Sequence, residues 1–289
     1  MKKKSLLALA LFGTLGVNTL SAEVTMSPIE AQVIEEREMT EAELRKEKLA
    51  KQLSDPCSNL ISIPLEFNTF DRIGYKEKGS RSAIKYMPVV PVNVSEDWNL
   101  VFRTIGEVVT SQDNLAPGYG SKQGLSDAIQ SVFLSPAEMS PNGTRWGLGA
   151  AVYMPTATDD HLGTDQWGAG PTAAIINQTG QWTVGGLWHH LSKVSGDSRA
   201  DDINFSYFQP FVVYTTKTAT SFVLNTESTY DFEADDYEIP VNFQVLQIVP
   251  VGEQIFQVGV GARYFASHFE DGPRGFGLRA TFNILLPKS

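Results

Sequence analysis

The sequence predicts an all-β chain: an antiparallel transmembrane β-barrel of about 12 strands, preceded by a short N-terminal periplasmic helix. Three observations predict this fold. Apolar and polar residues alternate over many segments, as in strands whose two faces meet different surroundings. Short and long links alternate between those segments. Beyond the N-terminus no run of about 18 apolar residues occurs, which excludes a bundle of membrane helices.

Residues 1–22 have the pattern of a signal peptide. Three lysines at positions 2–4 precede an apolar stretch at 6–17, and small residues follow at Ser21 and Ala22. We predict cleavage after Ala22, with cleavage after Ser21 as the alternative. The exported chain then carries 20 basic and 33 acidic residues, a net charge of −13. Such a surface repels phosphate, so we expect no nucleic-acid partner.

Residues 23–56 form an acidic extension with a composition of its own. This segment holds nine acidic and five basic side chains and no aromatic residue, whereas residues 57–289 hold 29 aromatics. The shift predicts a boundary near Pro56, between a helical periplasmic extension and the barrel. The single cysteine, Cys57, has no partner for a disulfide within the chain and is interpreted as a small, incidental side chain.

Within the extension, residues 40–53 are predicted to form a helix. Thr40 and Glu43 have the spacing of a capping box. The apolar positions of the segment make only a thin stripe, which favours a solvated helix or a weak coiled coil over a surface that binds a specific partner. The stripe consists of Leu44, Leu49 and Leu53.

The strands follow from Pro56 onward. Ile61, Ile63, Leu65 and Phe67 alternate with polar residues, and the same rhythm is strong at residues 238–245 and 275–286. Weaker alternation covers 98–109, 146–154, 182–191, 222–230 and 256–265.

The links between these strands are short at 93–97, 177–181, 215–219 and 250–253, and longer at 71–81, 111–122, 156–166, 192–202 and 267–273. The link at 135–144 is a longer exception among the short ones. With short turns in the periplasm, an even number of strands returns the chain to the side where it began.

Prolines inside the predicted strands, Pro88, Pro91 and Pro210, each remove a backbone donor and predict bulges or breaks. Periodicity does not distinguish a membrane barrel from a soluble lipid-binding barrel whose apolar face points inward. The distribution of charge favours the membrane barrel, because Arg103 shares a strand face with Glu107, and Gln257 shares one with two glycines and Arg263. Small and charged side chains on one face suit a polar lumen.

Several motifs resemble a family of bacterial outer-membrane, transporter-like proteins described as meta-pathway phenol-degradation proteins. The resemblance covers residues 58–288. It rests on residues 59–62, 96–100 with 103–104, 155–160 and 167–171, and further on 209–211, 225–231, 261–264 and 275–279. The resemblance implies an outer-membrane barrel that moves small solutes, hydrophobic or aromatic compounds among them, and it implies no catalytic residue and no cofactor. It also implies contact with outer-membrane lipid and with the barrel-assembly machinery, although the chain lacks the terminal aromatic residue common in such barrels.

Nine charged residues are the candidates for the lumen of this channel. They either line an open path for a solute or pair with one another and plug the interior, since small barrels can be filled by their own side chains. A plugged barrel would act through a periplasmic partner of the helix. The candidates are Glu66, Lys85, Arg103, Glu107, Arg145, Glu227, Glu238, Arg263 and Arg279.

Three further patterns are weaker. Aromatic residues near strand ends predict interfacial girdles: Trp98, Trp146, Trp182, Trp188, Tyr214, Tyr230 and Tyr264. Acidic clusters at 159–165, 197–202 and 231–236 lack the spacing of a calcium loop, so no metal site is expected. His190 and Ser192 share a strand face and could form part of a lipid hydrolase, but no carboxylate is identified to orient the histidine, and we expect no enzyme.

Overall fold

The computed structural model describes residues 40–196 and 201–286, and within them fifteen β-segments form one closed antiparallel sheet. Three pairs of segments, β2 with β3, β5 with β6, and β11 with β12, are each two halves of a single barrel strand. The barrel therefore has 12 strands, and the predicted fold class is confirmed. The predicted signal peptide and the first part of the extension lie outside the described residues.

The elements have the following bounds. Helix α1 spans Glu41–Leu53. The strands of the first half are β1 (Ile61–Ile73), β2 (Gly79–Tyr86), β3 (Val89–Asn93), β4 (Trp98–Asp113), β5 (Ser121–Leu125), β6 (Ala128–Pro136) and β7 (Thr144–Met154). Those of the second half are β8 (Gln166–Thr179), β9 (Trp182–Gly196), β10 (Asn204–Thr215), β11 (Thr220–Thr226), β12 (Ser228–Asp231), β13 (Asp236–Val251), β14 (Gln254–Ser267) and β15 (Gly275–Leu286).

Every barrel strand pairs with its neighbour in the sequence, and the first pairs with the last. Ile61 of β1 lies opposite Leu286 of β15, and the pairing continues to Thr69 and Leu278. Closure leaves no open sheet edge, which is what a strand needs in hydrocarbon, where no water can satisfy an unpaired backbone group. Within the described residues, no helix is long and apolar enough to cross a membrane.

The two faces of the sheet have the polarity that the charge distribution predicted. Glu66 and Asn68 of β1 are buried in the lumen, whereas Phe67 between them is exposed on the outer surface. On β15, Arg279 is buried and the flanking Leu278 is 65% exposed. An apolar surface turned outward is stable in lipid and costly in water, so the barrel is of the membrane type.

The two ends of the barrel differ in their links. The helix end, where α1 lies, carries the links 94–97, 180–181, 216–219 and 252–253, and the longer exception at 137–143. The loop end carries the links 74–78, 114–120, 155–165 and 268–274, a short turn at 232–235, and the described residues 201–203 that precede β10. Pro88 lies at the break between β2 and β3, as a proline without a ladder donor predicts.

Aromatic rings gather near the strand ends, as expected for interfacial girdles. Near the helix end, Trp98 lies 5.8 Å from Trp146 and Trp182 lies 4.9 Å from Tyr214, measured between ring centroids. Trp188 differs from the prediction, because it lies in the middle of β9, away from both ends.

Helix α1 packs on the barrel. The capping box forms, with Glu43 N–H donating to Thr40 Oγ1 at 3.3 Å and Thr40 N–H donating to Glu43 Oε2 at 2.9 Å. Leu49 and Ala50 are buried in a cluster at the helix end that contains Leu60, Ala219, Ile248, Ile255 and Leu285. The expectation of a solvated helix was wrong. The turns and strand ends of the barrel form an apolar surface, and the narrow apolar stripe of the helix packs against it.

Replacing Leu49 with aspartate should release α1 from the barrel. A buried charge would replace a leucine that is 5% exposed, which weakens docking by at least about 2 kcal/mol. Leu44→Asp is the matched control, because Leu44 is 52% exposed on the same helix. Limited proteolysis of the reconstituted protein should cut the Leu49→Asp variant within residues 40–60 and spare the control. Equal protection of both variants would contradict the docking described here.

Candidate functional site

A cluster of ion pairs crosses the middle of the lumen, centred on Glu227. Glu227 Oε2 lies 2.6 Å from Arg263 Nη2 and 3.0 Å from Lys85 Nζ, and Glu227 Oε1 lies 2.9 Å from Arg279 Nη1. The same nitrogen of Arg279 lies 3.2 Å from Glu66 Oε2. These contacts join strands from β2 around to the junction of β11 and β12. The cluster therefore links these strands across the lumen.

The backbone around Glu227 explains how this side chain reaches the centre. Glu227 lies between β11 and β12, and β10 pairs with those two segments on either side of a gap at Gln209 and Pro210. Pro210 has no N–H for a ladder bond. On the other side, the ladder with β13 continues, because Glu227 N–H donates to the Pro240 carbonyl at 3.2 Å in the same register as the pairs Thr226–Val241 and Thr229–Glu238. Pro210 thus interrupts the ladder on one side of the position where the acid enters the lumen.

Buried amides complete the cluster. Asn68 Oδ1 accepts a hydrogen bond from Arg279 Nε at 2.7 Å, and Asn242 Oδ1 accepts one from Arg263 Nε at 2.5 Å. Asn242 in turn donates to Asn225 Oδ1 at 2.7 Å. Hydrogen bonds to the remaining guanidinium protons make a buried charge tolerable. These amides were not predicted as site residues, although their position on the polar face of alternating strands marks them as lumenal.

Four of the nine predicted candidates lie outside the cluster. Glu107 pairs with Arg81 at 2.6 Å, and both side chains are about a quarter exposed. Glu238 is half-buried on β13 and makes no ion pair within the described part of the chain. Arg103 is buried in the lumen without an acid partner among the described residues, and its Nη2 lies 3.9 Å from Met87 Sδ.

The fourth, Arg145, fixes the segment that follows α1. Arg145 Nη1 lies 3.0 Å from Asp55 Oδ2 and donates to the Cys57 carbonyl at 3.1 Å. Asp55 also accepts a hydrogen bond from Cys57 N–H at 2.8 Å. Burial raises the pKa of the Asp55 carboxyl to about 6, and the Arg145 guanidinium opposes that rise. Cys57 is buried with Phe133 inside the barrel, so it is a packed residue of this segment. Asp55 was missed because it lies outside the alternating strands.

A cavity of about 190 Å³ lies between α1 and the ion-pair cluster. Leu53 and Asp55 close it at the helix end, and Glu66 and Arg103 border it at mid-lumen. Most of its polar lining consists of amides and hydroxyls: Gln52, Ser54, Ser58, Ser62, Gln209, Ser221, Asn225, Gln244, Gln257, Thr281 and Asn283. A cavity of this kind holds a small solute by neutral hydrogen bonds as well as by charge.

On the outer surface, His190 lies between two serines. His190 Nε2 lies 3.1 Å from Ser192 Oγ, and His190 Nδ1 lies 3.0 Å from Ser206 Oγ. The structure therefore brings together the histidine and serine that the sequence singled out. The third member of the group is the hydroxyl of Ser206 and not a carboxylate, and Asp202 of the nearby loop pairs with Lys193 at 2.6 Å. A hydroxyl stabilises an imidazolium less than a carboxylate does.

The acidic loop clusters make local contacts. The His161 backbone N–H donates to Asp159 Oδ1 at 3.0 Å, Lys122 Nζ lies 3.0 Å from Asp159 Oδ2, and these hydrogen bonds lower the pKa of the Asp159 carboxyl. Asp231 and Asp236 accept hydrogen bonds from nearby backbone N–H groups. Over residues 40–196 and 201–286, no three metal-ligating side chains come together, and Asp197 lies outside the described residues.

A closed 12-stranded barrel with a polar lumen is the architecture of outer-membrane β-barrel proteins, and solved structures of that class are similar to it. An outer-membrane channel from Pseudomonas putida F1 has a TM-score of 0.60 and 15% identity over 79% of this chain and 96% of its own. Escherichia coli outer membrane phospholipase A has a TM-score of 0.47 and 11% identity, covering 78% of this chain and 96% of its own.

An anion-selective porin from Comamonas acidovorans has a TM-score of 0.34 and 9% identity, covering 78% of this chain and 98% of its own. No protein-family model and no curated protein matches the chain. The likeness to the Pseudomonas channel shows a shared fold. The relation to phenol-degradation proteins stays a prediction from the sequence.

Replacing Glu227 with glutamine should destabilise the barrel strongly. It leaves three cations without their common buried carboxylate, at a cost of about 3–5 kcal/mol. Glu107→Gln is the control, because that carboxylate has one partner and is partly exposed, so its loss costs about 1 kcal/mol or less. Unfolding in urea, followed by gel mobility of the folded and unfolded forms, measures both. Similar midpoints for the two variants would refute the central role of Glu227.

Proposed function

We propose that this protein is an outer-membrane channel for small solutes that is closed in the state described here. The observation that carries the proposal is a polar, charged lumen containing a cavity inside a barrel whose outer surface is apolar. A barrel serving only as a membrane anchor has no need of a polar lumen with a cavity. The class of solute, hydrophobic and aromatic compounds included, rests on the sequence resemblance.

Two layers close the lumen in this proposal. Helix α1 and residues 54–60 form a stopper at the helix end, held by the apolar cluster around Leu49 and by the pair between Asp55 and Arg145. The ion pairs of Glu227 form the second layer. Because α1 joins the barrel through a short segment, release of the stopper is a simpler opening step than separation of the ion pairs of Glu227.

The orientation in the membrane is also a proposal. The predicted signal peptide and the short links favour a periplasmic helix end, with the longer links outside the cell. The apolar outer face is then surrounded by outer-membrane lipid, and insertion requires the barrel-assembly machinery. The boundary between the extension and the barrel stays a prediction, as does the cleavage site.

Release of the stopper should increase conductance. We expect liposomes containing the Leu49→Asp variant to pass ions and small aromatic solutes several-fold faster than liposomes containing the parent protein or Leu44→Asp. Arg103→Ala should alter ion selectivity, because it removes a positive charge from the path. If folded, inserted Leu49→Asp protein passes neither ions nor solutes, the barrel is plugged and structural, and its helix serves a partner.

The serines and histidine on the outer surface should not hydrolyse lipid. The purified protein, incubated with phospholipid vesicles with and without calcium, should release no fatty acid, because the group behind His190 is a hydroxyl. The Ser192→Ala variant serves as the control. Fatty-acid release by the parent that disappears in this variant would show a hydrolase and contradict the expectation.

A further inference from the structure

We propose that the cavity beside α1 binds a small organic monocarboxylate, whose charged group is held by Arg103. This inference deepens the proposed channel function and rests on it, because it names the class of solute that the lumen selects. It is carried by one buried cation, by the mixed polar and apolar lining of the cavity, and by the pairing of every neighbouring acid.

Arg103 is a buried guanidinium in need of a negative charge. Arg103 is 8% exposed, and among residues 40–196 and 201–286 no group accepts a hydrogen bond from its Nη1. The contact of Nη2 with Met87 Sδ, at 3.9 Å, is with a weak acceptor. A buried charge without a partner is costly, and the cost is offset when a carboxylate accepts two parallel hydrogen bonds from the guanidinium fork.

The neighbouring carboxylates are already engaged. Glu66 and Glu227 both lie against Arg279, and Glu227 also binds Lys85 and Arg263. At the other end of the cavity, Asp55 is paired with Arg145. Among the described residues that line the cavity, Arg103 is the one cation. A ligand with a single negative charge therefore matches the site, and one guanidinium would leave a doubly charged phosphate under-neutralised.

The walls of the cavity fit an amphipathic ligand. Arg103 of β4 lies on the same side as Ser62 of β1 and Thr281 of β15, which makes this wall polar. Across the barrel, β9 to β11 present the apolar side chains of the other wall beside the polar Gln209, Ser221 and Asn225; the apolar ones are Leu187, Phe211, Val213 and Val223. A cavity on the order of 150 Å³ lined by apolar side chains accommodates benzene. The volume of about 190 Å³ here is sufficient for a ring carrying one carboxylate.

Benzoate and its neutral isostere benzamide test the proposal in detergent solution, where binding is measured without transport. Isothermal titration with the full mature protein should show benzoate binding at least tenfold more tightly than benzamide. Arg103→Met should lose this preference. Arg81→Gln should retain it, because Arg81 pairs with Glu107 and does not line the cavity. Gel mobility before and after heating confirms that each variant is folded.

A second variant places a carboxylate of the protein itself next to Arg103. Met87 lines the cavity next to Arg103, so Met87→Glu should place a carboxylate against the guanidinium, abolish benzoate binding and raise the unfolding midpoint. Equal affinity for benzoate and benzamide in the parent, or an unchanged preference in Arg103→Met or Met87→Glu, would overturn the proposal. If the Leu49→Asp variant conducts but the parent protein binds no benzoate, the carboxylate site is rejected and the channel proposal is retained. If the parent binds benzoate but the Leu49→Asp variant does not conduct, the channel proposal is rejected and the carboxylate site is retained.

Discussion

The pairing of every backbone group in a lipid environment is the constraint on which the structure depends. It requires the first strand to meet the last, as β1 meets β15. Once the sheet closes, strands with one apolar and one polar face turn all of their polar faces towards each other. The charges inside must then neutralise one another at close range, because a narrow lumen holds little water. The ion pairs of Glu227 therefore depend on the closure of the sheet into a barrel as much as on the local sequence.

The backbone beside Glu227 shows how the chain places an acid where the lumenal charges must neutralise one another. Pro210 leaves a gap in the ladder with β10 beside Glu227, whereas the ladder with β13 continues past Glu227 in one register. Of the three prolines that predicted bulges or breaks, Pro210 lies at this gap and Pro88 lies between β2 and β3, whereas Pro91 pairs opposite Val101 in a regular ladder, so the prediction was wrong for Pro91.

The strands, their facing and the alternation of links could be predicted because each depends on local periodicity. Glu66, Arg263 and Arg279 were assigned to the lumen for the same reason. Their partners could not be predicted, since the contact of Glu227 with Arg279 depends on curvature and register across 52 residues. The docking of α1 was missed because its surface comes from Ala219, Ile248 and Leu285, which are scattered through the second half of the chain.

The residues that α1 packs against lie late in the sequence, and this determines the order in which the molecule assembles. Helix α1 is synthesised first, yet most of the residues it packs against come from the turn after β10 and from β13, β14 and β15. Contacts of such sequence separation form late. The helix can dock only on a barrel whose last strands are in place, so it stays undocked while the barrel is incomplete. If α1 is the stopper proposed above, the lumen closes at the helix end only after the last strand has joined the sheet.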